Sequence, residues 1–187
     1  MKTTRPPVPI TPDLWIRINA TLAGNDPTTS RNRALLSVIY YCGLRLNEAL
    51  SLKRNDIDID ARQIRVRRGK GGKFRVVAMP DVLVVDLGGW LPEEGPIFTT
   101  HHGSPVCDSY VRAFMGRLAK KLGVERLHAH GGRHGHALFL ASNGVSMNFI
   151  RDQLGHSNIA TTDRYIQRLN PEARVSAINA AYGGAKS

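Results

Sequence analysis

The chain has 187 residues, which is enough for one well-buried domain, and its 26 lysines and arginines against 15 acidic residues give a formal net charge of +11. This excess favours a polyanionic partner, nucleic acid first and an acidic membrane surface second. No stretch reaches the ~18 to 20 apolar residues that a membrane-spanning helix needs, and the N-terminus has no apolar run typical of a signal peptide. Cys42 and Cys107 lack CxxC spacing, which argues against a disulfide framework or a cysteine zinc site. We expect a soluble cytoplasmic protein.

The first ten residues contain three prolines, which fix φ and withhold hydrogen-bond donors, so residues 1–10 are predicted to form an extended arm. Thr11 followed by Pro12 predicts a helix start, because threonine caps helix N-termini and proline fits the first turn. This helix is expected to stop at Gly24. A second apolar helix should begin near residues 28–30.

Gly43 is predicted to end the second helix, and a short helix restarts through Leu52. Arg45 therefore lies at a junction between two apolar helices. One reading is an arginine whose head group reaches solvent. The other is a guanidinium held at the edge of the core, with Glu48 three residues on and close enough to orient it.

Residues 56–79 alternate between apolar and polar side chains around a glycine-rich turn, which predicts a small antiparallel sheet. The turn at its hairpin tip carries Lys70 and Lys73. It lacks the spacing and the following helix of a Walker phosphate loop. Lys70 is either a solvated turn lysine or a flexible arm that reaches into a DNA groove.

A short apolar helix and a loop are predicted for residues 81–98. His101 and His102 could bind a metal, but no third ligand stands at a convincing offset, so a polar loop without metal is expected. Ser104-Pro105 is predicted to open a helix that ends at Gly123. One face of this helix is basic and either is solvated or lies on phosphates; it comprises Arg112, Arg117, Lys120 and Lys121.

The stretch from residue 130 to residue 165 holds four groups suited to phosphate chemistry: His130, Arg133, His156 and Tyr165. Arginine offers a fixed fork of donors that matches phosphate oxygens, histidine can donate hydrogen bonds or move protons, and tyrosine offers a phenolic oxygen that can attack. None of these residues is diagnostic alone.

Their order and spacing resemble the catalytic domain of the tyrosine recombinases of the phage-integrase type. The matching elements are His-x-x-Arg-His from His130, Leu-Gly-His-Ser at residues 154–157, and Tyr165 nine positions after His156. Upstream, Gly-Leu-Arg-Leu-Asn-Glu (43–48) and Gly-Lys-Gly-Gly-Lys (69–73) also match. The resemblance implies an α/β fold, mostly helical with one small antiparallel sheet. It would occupy residues 11–187, with no separate N-terminal core-binding domain.

The resemblance also implies a reaction in which Tyr165 attacks a DNA phosphodiester, leaving a 3′-phosphotyrosyl bond and a free 5′-hydroxyl, without ATP, metal or other cofactor. Two arginines, Arg45 and Arg133, would clamp the non-bridging oxygens. By the same resemblance, His130 would accept the tyrosine proton, Lys70 would act as the acid for the leaving oxygen, and His156 would donate a hydrogen bond to the phosphate. Glu48 and His134 would support these groups. Lys73 and the basic helix face would contact DNA.

Two departures from the family pattern stand out. Gly131 and Gly132 precede Arg133 where a large apolar residue is usual, and two glycines predict a loose turn. About ten residues precede the catalytic domain where most members carry a helical clamp domain, which is expected either of a minimal, single-domain recombinase or of a fragment of a longer chain. Double-stranded DNA is the expected partner, with a homo-oligomer of up to four copies formed through the segment after Tyr165; a helix packed on its own domain is the alternative there. The rival functions are a type IB topoisomerase-like nicking and sealing enzyme and a DNA-binding regulator with little cleavage.

Overall fold

The computed structural model describes residues 8–67 and 74–155. Lys70, Lys73, His156, Tyr165 and the predicted C-terminal helix lie outside these ranges. The described elements, in chain order, are α1 (Pro12–Thr21), α2 (Pro27–Cys42), α3 (Leu46–Leu50), a 3-10 turn (Arg54–Asp56), β1 (Ile57–Asp58), β2 (Gln63–Val66), β3 (Arg75–Ala78), α4 (Asp81–Gly88), α5 (Asp108–Leu122), α6 (Ala129–Ser142) and α7 (Met147–Leu154).

Side-chain caps start the first two helices. The Thr11 hydroxyl accepts a hydrogen bond from the Leu14 N–H at 3.3 Å, which confirms the predicted start of α1. The Asp26 carboxylate accepts from the Thr29 N–H at 2.9 Å, so α2 begins at residue 27, just ahead of the predicted range. Gly43 ends α2 in the left-handed conformation, with φ at 63°.

The three strands form one antiparallel sheet in the order β1-β2-β3, as the sequence predicted. Ile57 pairs with Ile64, which pairs with Val77, and all three side chains are buried. One face of the sheet therefore packs on the core. Arg75 lies two residues before Val77, so its side chain leaves the strand on that same inner face.

Helix α2 is central, because it buries residues on most of its circumference and packs against α3, α4 and α6. The mostly helical fold with one small sheet is confirmed. Within the described ranges, no helix is both long and apolar enough to cross a membrane.

The start of α5 was predicted wrongly. The helix begins at Asp108 rather than at Ser104-Pro105. Pro105 instead pairs with Thr99 in an isolated β-bridge, and the Ser104 carbonyl accepts from the Thr100 N–H at 2.7 Å. These backbone pairings hold residues 104 and 105 in a loop. Gly123 ends α5 with φ at 65°, as predicted.

The predicted loose turn at Gly131-Gly132 was also wrong, because both glycines are buried inside α6. Helix α6 needs small residues on the face that the backbone of residues 8–10 crosses. The Ile10 N–H donates to the Gly131 carbonyl at 2.9 Å. A Cβ at Gly131 would lie 2.5 Å from the Val8 carbonyl oxygen, and one at Gly135 would lie 2.0 Å from the Ile10 carbonyl oxygen. The glycines thus permit close backbone packing rather than looseness.

Candidate active site

Arg45 stands at the N-cap position of α3, where the left-handed turn at Gly43 and the buried Leu44 place it at the edge of the core. Its guanidinium donates to the Glu48 carboxylate at 2.8 Å, and its backbone N–H donates to the other carboxylate oxygen at 2.8 Å. A further bond runs from Nη2 to the Gly155 carbonyl at 3.3 Å. Arg45 keeps 30% of its side-chain surface exposed, so the guanidinium is both fixed and accessible.

Arg133 projects from α6 and is 1% exposed. Its Nη1 donates to the Gly43 carbonyl at 2.5 Å, and its Nη2 donates to the Leu154 carbonyl at 2.7 Å. The side chain therefore joins the end of α2 to the end of α7. Because both terminal nitrogens are hydrogen-bonded, the buried guanidinium is held rigidly, although two glycines precede Arg133.

A third arginine, Arg75 on β3, reaches the same place. Its two terminal nitrogens donate to the two oxygens of Glu48 at 2.9 and 2.8 Å, and its Nε donates to the Gln153 carbonyl at 3.2 Å. Three consecutive carbonyls, of residues 153, 154 and 155, thus accept from Arg75, Arg133 and Arg45. These carbonyls are the acceptors that a helix leaves unpaired at its C-terminus, where the helix dipole favours positive charge.

Glu48 is the anion that holds this cluster together. Burial alone would raise the pKa of its carboxyl, but the hydrogen bonds and charges of Arg75 and Arg45 outweigh burial and lower the pKa to about 2. The carboxylate is therefore ionised at neutral pH. Its single negative charge offsets the positive charge of one of its two arginine partners. The cluster therefore keeps a net positive charge.

His130 lies in the first turn of α6 at the mouth of the same cleft. Although the residue keeps contact with solvent, crowding of its ring by protein atoms, followed by the positive charges of Arg133 and Arg45, lowers its pKa below the usual value. The lowered pKa favours the neutral imidazole, which is the form that can accept a proton. His134, one residue beyond Arg133, is buried in α6.

Arg45, Glu48, His130 and Arg133 line a cleft of about 860 Å³ between α3, α5 and the start of α6. Of the predicted DNA-contacting residues on α5, Arg112 and Lys120 line this cleft beside Arg45, His130 and Arg133. Arg117 and Lys121 are exposed on α5, outside the cleft wall. The structure thus brings together side chains from distant parts of the sequence. Lys70, Lys73, His156 and Tyr165 fall outside the described residues, although His156 directly follows the Gly155 that Arg45 contacts.

Sequence reasoning missed Arg75 and Gln153. The available signal was the alternation in β3, because an arginine in phase with a buried valine must find an anion on the inner face of the sheet. Gln153 gave no comparable signal: its side-chain amide pairs with the backbone N–H and carbonyl of Ala78, each at 2.9 Å.

A basic cleft with arginines fixed at its wall is typical of proteins that bind polyanions.

Comparison with known proteins gives the particular family: the chain belongs to the Phage integrase family, which it matches over residues 10–171. It is 32% identical over 153 residues to a tyrosine recombinase of Thermosipho africanus, covering 80% of this chain and 54% of that protein. It is 35% identical over 146 residues to tyrosine recombinase XerA of Thermococcus kodakarensis, covering 74% and 51%. The chain spans about half the length of these curated relatives.

Solved structures agree. The crystal structure of XerA recombinase aligns with a TM-score of 0.79 at 28% identity, covering 96% of this chain and 66% of that one. XerH site-specific recombinase bound to difH substrate aligns with a TM-score of 0.75 at 23% identity, covering 96% and 55%, which shows the shared fold. The predicted resemblance to the tyrosine recombinase catalytic domain is confirmed.

Proposed function

We propose that this chain is the catalytic part of a site-specific DNA recombinase, which cleaves and rejoins DNA strands through a covalent 3′-phosphotyrosyl bond to Tyr165. The observation that carries the proposal is the convergence of Arg45 and Arg133, 88 positions apart in the sequence, on the C-terminal end of α7. The chain continues from that end through His156 to Tyr165. A fixed pair of guanidinium groups suits phosphoryl transfer, which depends mostly on positioning and charge stabilisation, and the candidate nucleophile follows ten positions after Gly155 in the sequence.

In this proposal Arg45 and Arg133 stabilise the charge that grows on the non-bridging oxygens as the tyrosine oxygen arrives. A preorganised donor of this kind contributes roughly 100- to 1,000-fold in rate. A tyrosine phenol is a weak nucleophile, because its reference pKa is ~10, so Tyr165 must lose its proton during the attack. The neutral imidazole of His130 is the proposed acceptor, which the lowered pKa supports.

The remaining roles follow the family resemblance. Lys70 would protonate the leaving 5′ oxygen, and His156 would donate a hydrogen bond to the phosphate. Glu48 and His134 would hold the arginines in place. Because a phosphodiester bond is exchanged for a phosphotyrosyl bond of similar energy, the reaction as proposed uses no cofactor.

Double-stranded DNA is the proposed substrate. XerH is described as bound to its difH substrate, and the Tn1549 transposon integrase as complexed with circular intermediate DNA. On this chain Lys120 supplies positive charge at the cleft wall, beside Arg112, which is paired with the Asp108 carboxylate. Arg117, Lys121 and Lys73 are proposed as further phosphate contacts. Such work would take place in the cytoplasm, and the two free thiols fit that reducing compartment.

We propose assembly of up to four copies on DNA through the segment after Tyr165. What supports this is an apolar groove between α1, α6 and α7, where Ile16, Phe139 and Phe149 are 65%, 46% and 47% exposed. A groove of this kind accepts an apolar helix face. The segment from Asn170 onward carries Val175 and Ile178, which could supply one.

The decisive experiment is a trapping assay without metal. The protein is incubated with nicked DNA duplexes from the flanks of its own gene, so that cleavage releases a short strand and the covalent adduct accumulates. A denaturing gel then separates the adduct from free protein. We expect an adduct with the wild type, none with Tyr165→Phe, and equal DNA binding by the two proteins.

Each rival function gives a different result. A DNA-binding regulator would bind in a salt-sensitive manner and form no adduct. A topoisomerase-like enzyme would form the adduct and relax supercoiled DNA as a monomer, whereas a recombinase joins strands from two duplexes in a multimer. The number of protein copies per DNA, measured by light scattering, separates these two enzymes.

A further inference from the structure

We propose that Arg75 is a positioning residue for the phosphate site, acting through Glu48 to keep the charge of Arg45 available to the substrate. This inference rests on the proposed function and adds to it a residue that the sequence motifs did not mark. Arg75 touches no reacting atom in this proposal. Its effect is transmitted by the carboxylate that it shares with Arg45.

The first step is the geometry of the shared carboxylate. Arg75 binds both oxygens of Glu48 in a two-pronged pair, at 2.9 and 2.8 Å, while Arg45 binds one of them at 2.8 Å. The Arg75 side chain is 11% exposed and that of Glu48 is 3% exposed. A paired bond of this kind, shielded from water, is among the stronger interactions of a carboxylate.

The second step is that Arg75 itself is held from several sides. Its Nε donates to the Gln153 carbonyl, and the Gln153 side-chain amide forms two hydrogen bonds with the backbone of Ala78 on the same strand as Arg75. Its side chain also packs closely on Gly155, where an added Cβ would lie 2.9 Å from the Arg75 Cδ. Strand β3 and the end of α7 therefore form one unit with this guanidinium between them.

The third step is charge. If Arg75 is replaced by a neutral residue, Arg45 becomes the sole guanidinium on the Glu48 carboxylate, and the two form a neutral ion pair. Arg45 is then drawn toward the carboxylate and offers less positive charge to a phosphate. With Arg75 present, the carboxylate is already neutralised, and the charge of Arg45 remains for the substrate.

The kinetic test compares Arg75→Gln and Arg75→Lys with wild type in single-turnover adduct formation at saturating protein, so that DNA affinity does not enter. We expect Arg75→Gln to be about 10- to 100-fold slower, by analogy with the loss on misplacing a catalytic group. Arg75→Lys should recover part of the rate because it restores the charge. The matched control is Arg65→Gln on β2, whose side chain is exposed and pairs with Asp58; its rate should stay within about twofold of wild type on the same argument.

A second substrate separates positioning from a merely structural role. In a methylphosphonate at the cleavage site, a methyl group replaces one charged oxygen, so less positive charge is needed from Arg45. The rate penalty of Arg75→Gln should then shrink to a few-fold. An equal penalty on both substrates would overturn the proposal, since loss of folded protein slows both reactions alike.

A third measurement does not depend on cleavage. Inorganic phosphate is titrated into the protein while the Arg45 side-chain NMR signal, assigned with Arg45→Lys, is followed. Weaker phosphate binding by Arg75→Gln, by about fivefold or more, supports the proposal, and equal affinities overturn it. If the wild type forms no adduct, the proposed function fails, whereas this titration still decides the role of Arg75.

Discussion

Replacing Gly135 with alanine tests whether residues 8–10 pack on α6, the helix that carries Arg133. The new Cβ would meet the Ile10 carbonyl oxygen at 2.0 Å and its carbon at 3.0 Å, so the segment must leave the face of α6. That movement loses the burial of Ile10, about 2 kcal/mol, and its hydrogen bond to Gly131, about 1 kcal/mol. Alanine regains about 1 kcal/mol of helix propensity. The free energy of unfolding should therefore fall by about 2 kcal/mol.

The assay is equilibrium unfolding in urea, and Gly116→Ala on α5 is the matched control. Among the described residues, no atom other than those of its chain neighbours and the adjacent backbone of α5 lies within 4 Å of a Cβ placed at Gly116. That substitution should raise the free energy of unfolding by up to about 1 kcal/mol, through propensity alone. The two glycine-to-alanine changes are thus expected to have opposite signs. If Gly135→Ala stabilises the protein as much as Gly116→Ala, the segment is not packed on α6 as described.

Three further outcomes are expected. Glu48→Gln should lower the free energy of unfolding by about 3 kcal/mol at pH 7; because the folded pKa of Glu48 is about 2 and its usual value 4.5, the wild type's advantage should be full above pH 4.5 and vanish toward pH 2 in urea titrations. Burial, followed by the charge of Arg133, lowers the pKa of His136 from 6.5 to about 4, so wild-type stability should fall as pH drops through that range, and His136→Gln should flatten the slope. Lys120→Ala, at the cleft wall, should reduce the salt dependence of DNA binding by about one phosphate contact; an unchanged salt dependence would count against the cleft as the DNA path.

Local rules were enough to predict the framework. Thr11 with Pro12, and Gly43 and Gly123, mark helix ends through short-range chemistry, namely a side-chain cap, a fixed φ and freedom to adopt positive φ. The sheet followed from alternation of apolar residues. The start of α5 was predicted wrongly because Ser104-Pro105 has the local sequence of a helix start. In the structure, backbone pairing with Thr99 and Thr100 holds these two residues in a loop instead.

The site was predictable only as far as its motifs reach. Arg45 and Arg133 were recognised through spacing, but their contacts with carbonyls of α2 and α7 depend on how distant helices meet. The two-glycine sequence in α6 looked like a weakness locally, since glycine is flexible. In the fold it is a packing surface, because its partner is the backbone of residues 8–10, and no local pattern specifies that contact. Arg75 was hidden for the same reason: its partners are 27 and 78 positions away.

The charge balance of the cluster explains why one carboxylate is enough. Arg45, Arg75 and Arg133 carry three positive charges against the single negative charge of Glu48, and the carbonyls of α7 add only the partial negative charge of a helix end. A second carboxylate here would halve the net charge, from +2 to +1, and weaken the attraction for a phosphodiester. Without Glu48, three guanidinium groups would repel one another near the end of a short helix. With it, the cluster stays folded while remaining net positive, and a phosphate that gains charge as it reacts is the ligand such a site favours most.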